Sequence, residues 1–247
     1  MIAHPSRPEV LGIPSRGLAR ISTLASLLAP AILVRGRGAC RRSTTLSAVL
    51  AWGRKPSART AEALARTRGL PLWRCEDGFV RSLGLGPEGP PWSLVVDDLG
   101  IYYDAHAPSR LESWISRPLT DPEQARAVAL QRLWRAERVS KYNGSRETDP
   151  PREAYVLVVD QTMGDLSIRF GMADAESFQH MLQAALDNHP DCLVLLKIHP
   201  DVAAGRKRGY LAETALSHPR LRICSDGGHP TALLERAQAV YVVCSQL

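Results

Sequence analysis
Apolar residues along this chain come in short blocks separated by polar turns, and the blocks alternate between strand-like and helix-like spacing. AVLAWG (48–53) is an uninterrupted apolar run, as expected for a short strand buried on both faces. Lys55-Pro56-Ser57 then opens a helix, with Ser57 as its expected N-cap, Ala61, Leu64 and Ala65 on its inner face and Gly69 at its end. LPLWRC (70–75) follows as a second strand, so residues 48–76 form a compact strand-helix-strand unit with a parallel, right-handed crossover. Glu76-Asp77-Gly78 breaks that strand, and a Gly/Pro-rich loop occupies residues 84–91. An apolar strand at 93–96 ends in Asp97-Asp98 and resumes at 101–103 after Gly100. Asp121-Pro122 starts the next helix, for which Leu130, Leu133 and Trp134 give a contact face at i, i+3, i+4.

Residues 144–153 (GSRETDPPRE) are polar, aperiodic and contain a Pro-Pro pair, which marks a linker. Alternation then restarts, with strands expected at 155–159, 192–198, 221–224 and 240–243 and helices at 176–187 and 231–237. The inner face of the first of these helices is Phe178, Met181, Leu182, Ala185 and Leu186. The expected fold class is α/β, with two Rossmann-like domains on parallel sheets at 48–143 and 154–247. Residues 1–47 are expected to be a basic segment with one short helix, using Leu18, Ile21, Leu24 and Leu28 and ended by Pro30. The sequence stops at Ser245-Gln246-Leu247, directly after a strand, where a covering helix is due, so the second domain is expected to be truncated.

Composition narrows the class. With 247 residues, 45% hydrophobic and 23% charged, the chain has enough apolar material for real cores, which excludes a disordered tail or a coiled coil. The longest apolar run, residues 24–34, is interrupted by Pro30 and falls short of the roughly 20 residues a membrane-spanning helix needs. Arginines follow it where a signal-peptide cleavage site would lie, so it is not expected to be a leader. The net charge of +6 is concentrated at one end: Arg7, Arg16, Arg20, Arg35, Arg37, Arg41 and Arg42 face Glu9 alone in residues 1–50, and the remainder is balanced. Such an edge suits an anionic surface, although a solvated basic segment has the same composition. Five scattered cysteines without a CxxC pair point to reduced thiols in the cytoplasm. The seven histidines show no metal-ligand spacing, and no structural zinc is expected.

Candidate chemistry lies where strands end, because ligands of parallel α/β sheets bind beyond the carboxyl ends of the strands. Asp160 follows YVLVV, His199-Pro200 follows CLVLLKI, and Ser245-Gln246 follows VYVVC. Taken singly, Asp160 and Asp165 read equally as turn or cap residues, His199 as a turn and Ser245 as a helix cap. Lys197, two residues before His199 and on the same side of its strand, adds a phosphate-site reading. In the first half, Glu76, Asp77, Arg81 and Ser82 surround one turn, either as a salt-bridged turn or with Arg81 holding an acidic sugar's carboxylate.

The segments WGRKPS (52–57), LPLWRCEDGFVRSLGLG (70–86), SLVVDDLGIYYDA (93–105), SKYN (140–143), VDQTMGDLSIRFG (159–171), LLKIHPDV (195–202) and VYVVCSQL (240–247), in this order, resemble the capsule polysaccharide biosynthesis family. More narrowly they resemble its retaining β-Kdo glycosyltransferases of the KpsC/LipB type. The resemblance implies a GT-B-like architecture with the donor between two Rossmann-like domains and no metal or other cofactor. It implies transfer of Kdo, an acidic keto sugar, from CMP-β-Kdo onto an oligo-Kdo linker built on phosphatidylglycerol. That linker anchors capsular polysaccharide for export. It further implies Asp160 as nucleophile with Asp165 second, and Lys197, His199, Pro200, Ser245 and Gln246 at the donor phosphate. Glu76, Asp77, Arg81 and Ser82 then line the acceptor side. Expected partners are CMP-β-Kdo, a lipid-linked Kdo acceptor, the anionic inner face of the inner membrane, where the protein would sit peripherally, and the capsule export machinery. The alternative is a non-catalytic sugar-binding module of that machinery. No nucleic-acid motif is present and no nucleic-acid partner is expected.

Overall fold
The computed structural model describes residues 8–81, 89–140, 149–211, 218–224 and 229–245. The chain divides into two compact units, Met1–Ala127 and Val128–Leu247, each around its own sheet. The division falls inside one helix rather than in the polar stretch 144–153, of which residues 144–148 lie outside the described residues.

The first sheet has the order β2-β1-β3-β4-β5, from β1 (Val10–Ile13), β2 (Ile32–Arg35), β3 (Ala48–Trp52), β4 (Leu72–Asp77) and β5 (Leu94–Asp97). The first four strands are parallel, and β5 closes the edge antiparallel to β4, a departure from the all-parallel expectation. All of β3 is buried because its two faces serve two cores. Ala48, Leu50 and Trp52 pack with Leu11, Ile13, Leu18, Leu24 and Leu28, whereas Val49 and Ala51 pack with Ala58, Ala61 and Ala65. This is the physical content of the continuous apolar run.

Residues 1–47 are not a separate basic segment. They supply β1 and β2 to the sheet and three short helices, α1 (Arg16–Ala19), α2 (Leu24–Leu28) and α3 (Arg37–Arg42). Four-residue strands carry too few positions for a period to stand out, so VLGI and ILVR are read only once β3 pairs with them. Residues 56–58 form a 3-10 turn that leads into α4 (Arg59–Arg68), which places Ser57 inside the turn instead of at a cap. Gly69 ends α4 in the left-handed region, at φ 61°. Residues 101–103 do not resume β5; Asp97 turns the chain by accepting the N–H groups of Leu99 and Gly100. Two further helices, α5 (Arg110–Ile115) and α6 (Asp121–Ala136), follow. The latter buries none of its residues, and the expected contact face of Leu130, Leu133 and Trp134 is open, at 50%, 56% and 37% exposure.

The second sheet is parallel throughout, in the order β8-β7-β6-β9: β6 (Tyr155–Val159), β7 (Leu193–Lys197), β8 (Leu221–Cys224) and β9 (Val240–Tyr241). Its helices are α7 (Leu166–Phe170), α8 (Ala175–Asn188), α9 (Pro200–Ala203) and α10 (Pro230–Arg236). Val156 and Val158 of β6 pack on Phe178, Leu182, Ala185 and Leu186 of α8. Tyr155, Leu157 and Val159 face Leu195 and Leu233 instead. Asp174 and Ser177 close α8 with a reciprocal capping box.

Candidate active site
The carboxyl edge of the second sheet carries most of the predicted residues. Asp160 follows β6 and is 2% exposed. Its Oδ1 accepts the N–H groups of Gln161 and Tyr210 at 2.9 and 3.0 Å, and its Oδ2 accepts that of Leu211 at 3.2 Å. The carboxylate therefore folds residues 209–211 over the strand end. Gly209 lies so close that a methyl group there would overlap Oδ2. Asp160 N–H donates to the Lys197 carbonyl at 2.9 Å, which sets the two strand ends side by side.

Lys197 is itself buried, at 3% exposure, so its ammonium is a charge beneath the edge rather than on it. His199 is partly exposed and caps α9, its Nδ1 accepting the Asp201 N–H at 3.0 Å. With Nδ1 as acceptor, the neutral ring carries its proton on Nε2. Pro200 is the first residue of α9, where its missing N–H costs nothing. Asp165 caps α7 through a 3.0 Å bond from Ser167 N–H to Oδ1, and it is exposed. Of the two candidate nucleophiles it is the one solvent reaches. Ser245 is half-buried just past Cys244, and Gln246 lies outside the described residues.

Gln161 joins this edge without a signal of its own in the sequence. Its Oε1 accepts the Cys244 N–H at 3.1 Å, and the Cys244 sulfur also meets Ser167 Oγ at 3.1 Å. These contacts tie the chain after β9 to the end of β6 and the start of α7.

The first unit has its own polar cluster at the ends of β3 and β4. Glu76 is held above the usual carboxylate range, first by burial and then by neighbouring Asp77, against the opposing pull of Lys55 and hydrogen bonds from Asp77 N–H and Trp52. The Tyr103 hydroxyl accepts the Arg54 N–H at 2.9 Å and points its proton at Glu76 Oε2, 3.5 Å away. Arg54 Nε donates to the buried Asp104 at 2.5 Å. Burial opposes ionisation of Asp104, but bonds from His106 and Arg54 outweigh it and hold this carboxyl below its ordinary value. Asp77 and Arg81 form the salt-bridged turn, with Nε and Oδ1 2.9 Å apart, and the Arg81 guanidinium also donates to the Gly89 carbonyl. Ser82 lies outside the described residues. Arg54, Tyr103 and Asp104 went unassigned in the sequence, although the rule applied to the second half, polar groups just after a parallel strand, points equally to Arg54 and Lys55 after β3.

Among the described residues no three His, Cys, Asp or Glu side chains are placed to hold a metal ion, and no helix is long and apolar enough to cross a membrane.

Two Rossmann-like α/β units in series, with charged and polar groups at the carboxyl ends of their parallel strands, define a GT-B-like protein. The profile of the family described as capsule polysaccharide biosynthesis protein matches residues 47–145 and 125–247, and the chain belongs to that family. It is 40% identical over 245 residues to the capsule polysaccharide modification protein LipA of Neisseria meningitidis serogroup B, which covers 95% of this chain and 34% of LipA. It is 34% identical over 218 residues to the lipopolysaccharide-processing protein LpsZ of Rhizobium meliloti, across 82% of this chain and 48% of that one. The chain thus spans about a third of LipA and about half of LpsZ. Among solved structures, the β-Kdo 2,4 transferase of Thermosulfurimonas dismutans KpsC superposes with a TM-score of 0.86 at 38% identity, over 96% of this chain and 75% of that one. The β-Kdo 2,7 transferase of the same KpsC, at TM-score 0.53 and 23% identity, shares the fold.

Proposed function
We propose that this chain is a retaining glycosyltransferase module that moves Kdo from CMP-β-Kdo onto a phosphatidylglycerol-linked oligo-Kdo acceptor. The observation that carries the reading is the edge of the second sheet, where an open carboxylate (Asp165) follows β6, and a buried cation (Lys197) ends β7 with a ring N–H donor (His199) two residues beyond it. The similarity to a β-Kdo 2,4 transferase supports Kdo as the sugar. Of the two routes to retention, front-face attack and double displacement, we assign the second, two inversions through a glycosyl-enzyme ester. In the first, a carboxylate oxygen attacks the anomeric carbon and CMP departs with the electron pair of the broken C–O bond. His199 Nε2–H donates to the departing phosphate, and Lys197 offsets its charge through a low-dielectric edge. In the second, Glu76 takes the proton of the acceptor hydroxyl as that oxygen bonds to the anomeric carbon, and the carboxylate leaves with its electron pair.

Both oxygens of Asp160 hold backbone N–H groups, so we assign the nucleophile to Asp165 and the shape of the 209–211 loop to Asp160. The exposed Arg16, Arg20, Arg35, Arg37, Arg41 and Arg42 of the first unit support binding to the anionic inner face of the inner membrane, where the lipid acceptor lies. No metal or cofactor is assigned to the reaction.

The test is acceptor-dependent CMP release from CMP-β-Kdo, with a lipid-linked Kdo mimic. Loss of release in Asp165→Asn with CMP binding retained supports the assignment. Loss in Asp160→Asn alone, at unchanged melting temperature, returns the nucleophile to Asp160. CMP binding without release by the unaltered chain points to the non-catalytic assembly role.

A further inference from the structure
Tyr103 meets Glu76 in a way that neither the fold nor the family description accounts for. Its hydroxyl accepts the backbone N–H of Arg54 at 2.9 Å, which leaves its single proton to be donated. The proton faces Glu76 Oε2 at 3.5 Å, while Oε1 faces the Asp77 N–H at 3.4 Å. The two carboxylate oxygens thus face donors from two different elements.

The chain is shaped around this pair. Gly53, which links β3 to Arg54, has φ +41°, and a methyl group there would overlap the Tyr103 hydroxyl and approach Glu76 Oε2 to 2.6 Å. Arg54 reinforces the placement from its other end, because its guanidinium is bonded to Asp104, the residue after Tyr103. One residue therefore pins two successive positions of the loop, by its backbone to Tyr103 and by its side chain to Asp104. A tyrosine that only filled space would require neither the glycine nor the directed hydroxyl.

We propose that Tyr103 is a positioning residue for Glu76: its hydroxyl stabilises the ionised carboxylate, orients it, and so sets the pH at which Glu76 can accept a proton. The inference rests on the assignment of Glu76 to the acceptor hydroxyl. The groups that face Glu76 are Lys55 and Trp52 from the end of β3, Asp77 on β4 itself, and Tyr103 from the loop after β5; Tyr102 and Arg74 act on Tyr103 in turn. Lys55 and Asp77 oppose each other in charge, and Asp77 N–H and Trp52 also donate to Glu76, so the test removes the hydroxyl alone and leaves the other groups in place.

The experiment pairs the pH profile of kcat/KM for the acceptor with a carbon-13 carboxyl titration of Glu76, in the full chain and in Tyr103→Phe. Loss of a donor to the charged form moves both upward, by about one pH unit. Turnover then falls about tenfold on the acid side and converges with the parent at high pH. Tyr103→3-fluorotyrosine, a stronger donor of the same shape, moves both downward, and it serves where the phenylalanine variant folds poorly. A pH-independent loss with an unmoved Glu76 titration overturns the positioning role. Full acceptor-dependent turnover in Glu76→Gln overturns instead the reading on which it rests, and the titration distinguishes the two failures.

Discussion

Asp97 and Asp160 end strands in different sheets with the same device. Asp97, 1% exposed, accepts the N–H groups of Leu99, Gly100 and Arg110 at 2.8, 2.8 and 2.9 Å. Asp160, 2% exposed, accepts those of Gln161, Tyr210 and Leu211. In both, a buried carboxylate folds a loop back across the strand it terminates. The carboxyl is tolerated in the interior because both oxygens are satisfied by backbone donors.

Removing either carboxylate leaves three N–H donors with no acceptor. Asp97→Ala and Asp160→Ala are therefore each expected to lower unfolding stability by about 3 kcal/mol, and the asparagine variants, which keep one carbonyl oxygen, by less. Urea unfolding followed by circular dichroism measures this. A loss under about 0.5 kcal/mol would show that water replaces the carboxylate freely.

β3 and β6 were visible in the sequence because strands buried on both faces become unbroken apolar runs, AVLAW and YVLVV. β1 and β2 were not, since VLGI and ILVR become strands only through pairing with β3 and each other. At the site, a strand-end aspartate announces a special position but not its task. Asp160 ends its strand in the same way whichever task it has, and its long-range bonds to Tyr210 and Leu211 are not announced by the residues around it. Tyr103 is still less legible, because its partners Arg54 and Glu76 stand 49 and 27 residues away along the chain.

Glu123 supplies a pH test at the start of α6. Two bonds from Arg117, aided by the N–H and hydroxyl of Thr120, hold its carboxyl at about 2, against an ordinary 4.5. A pKa depressed by folding stabilises the protein fully above the ordinary value, and the contribution is lost as pH falls through the folded one. The Glu123 carboxyl resonance should thus titrate at about 2, and α6 helicity should decline over the interval below 4.5. In Arg117→Ala the resonance should titrate nearer 4.5. An unmoved titration would mean that the Thr120 donors alone hold the charge.

Glu76 has the opposite sign. Burial raises its pKa on folding, so its protonated form is favoured, and stability declines as pH rises from 4.5 through the raised value. Glu76→Gln removes the ionisable group at nearly constant shape. The variant should gain stability relative to the parent with rising pH while losing acceptor-dependent turnover, as expected where function holds a charge in an unfavourable place. Paired thermal melts at low and neutral pH would show the divergence. Parallel melting curves would place Glu76 in water.

The open face of α6 makes the last prediction. No residue of this helix is buried, and Leu130 and Leu133 are about half exposed, so tertiary packing is not what makes it helical. Its sequence is rich in Ala, Leu, Gln and Arg, all strong helix formers, and the Thr120–Glu123 pair satisfies N–H and carboxylate groups at its start. Helicity therefore depends on local terms. Leu133→Gln should change unfolding stability by less than about 0.5 kcal/mol, whereas Leu50→Ala, in the first core, should cost about 2–5 kcal/mol. The substitution that should weaken α6 is Thr120→Ala, because it removes a donor to Glu123. Should Leu133→Gln instead approach the cost of Leu50→Ala, this face is covered in solution, and the helix owes its stability to burial after all.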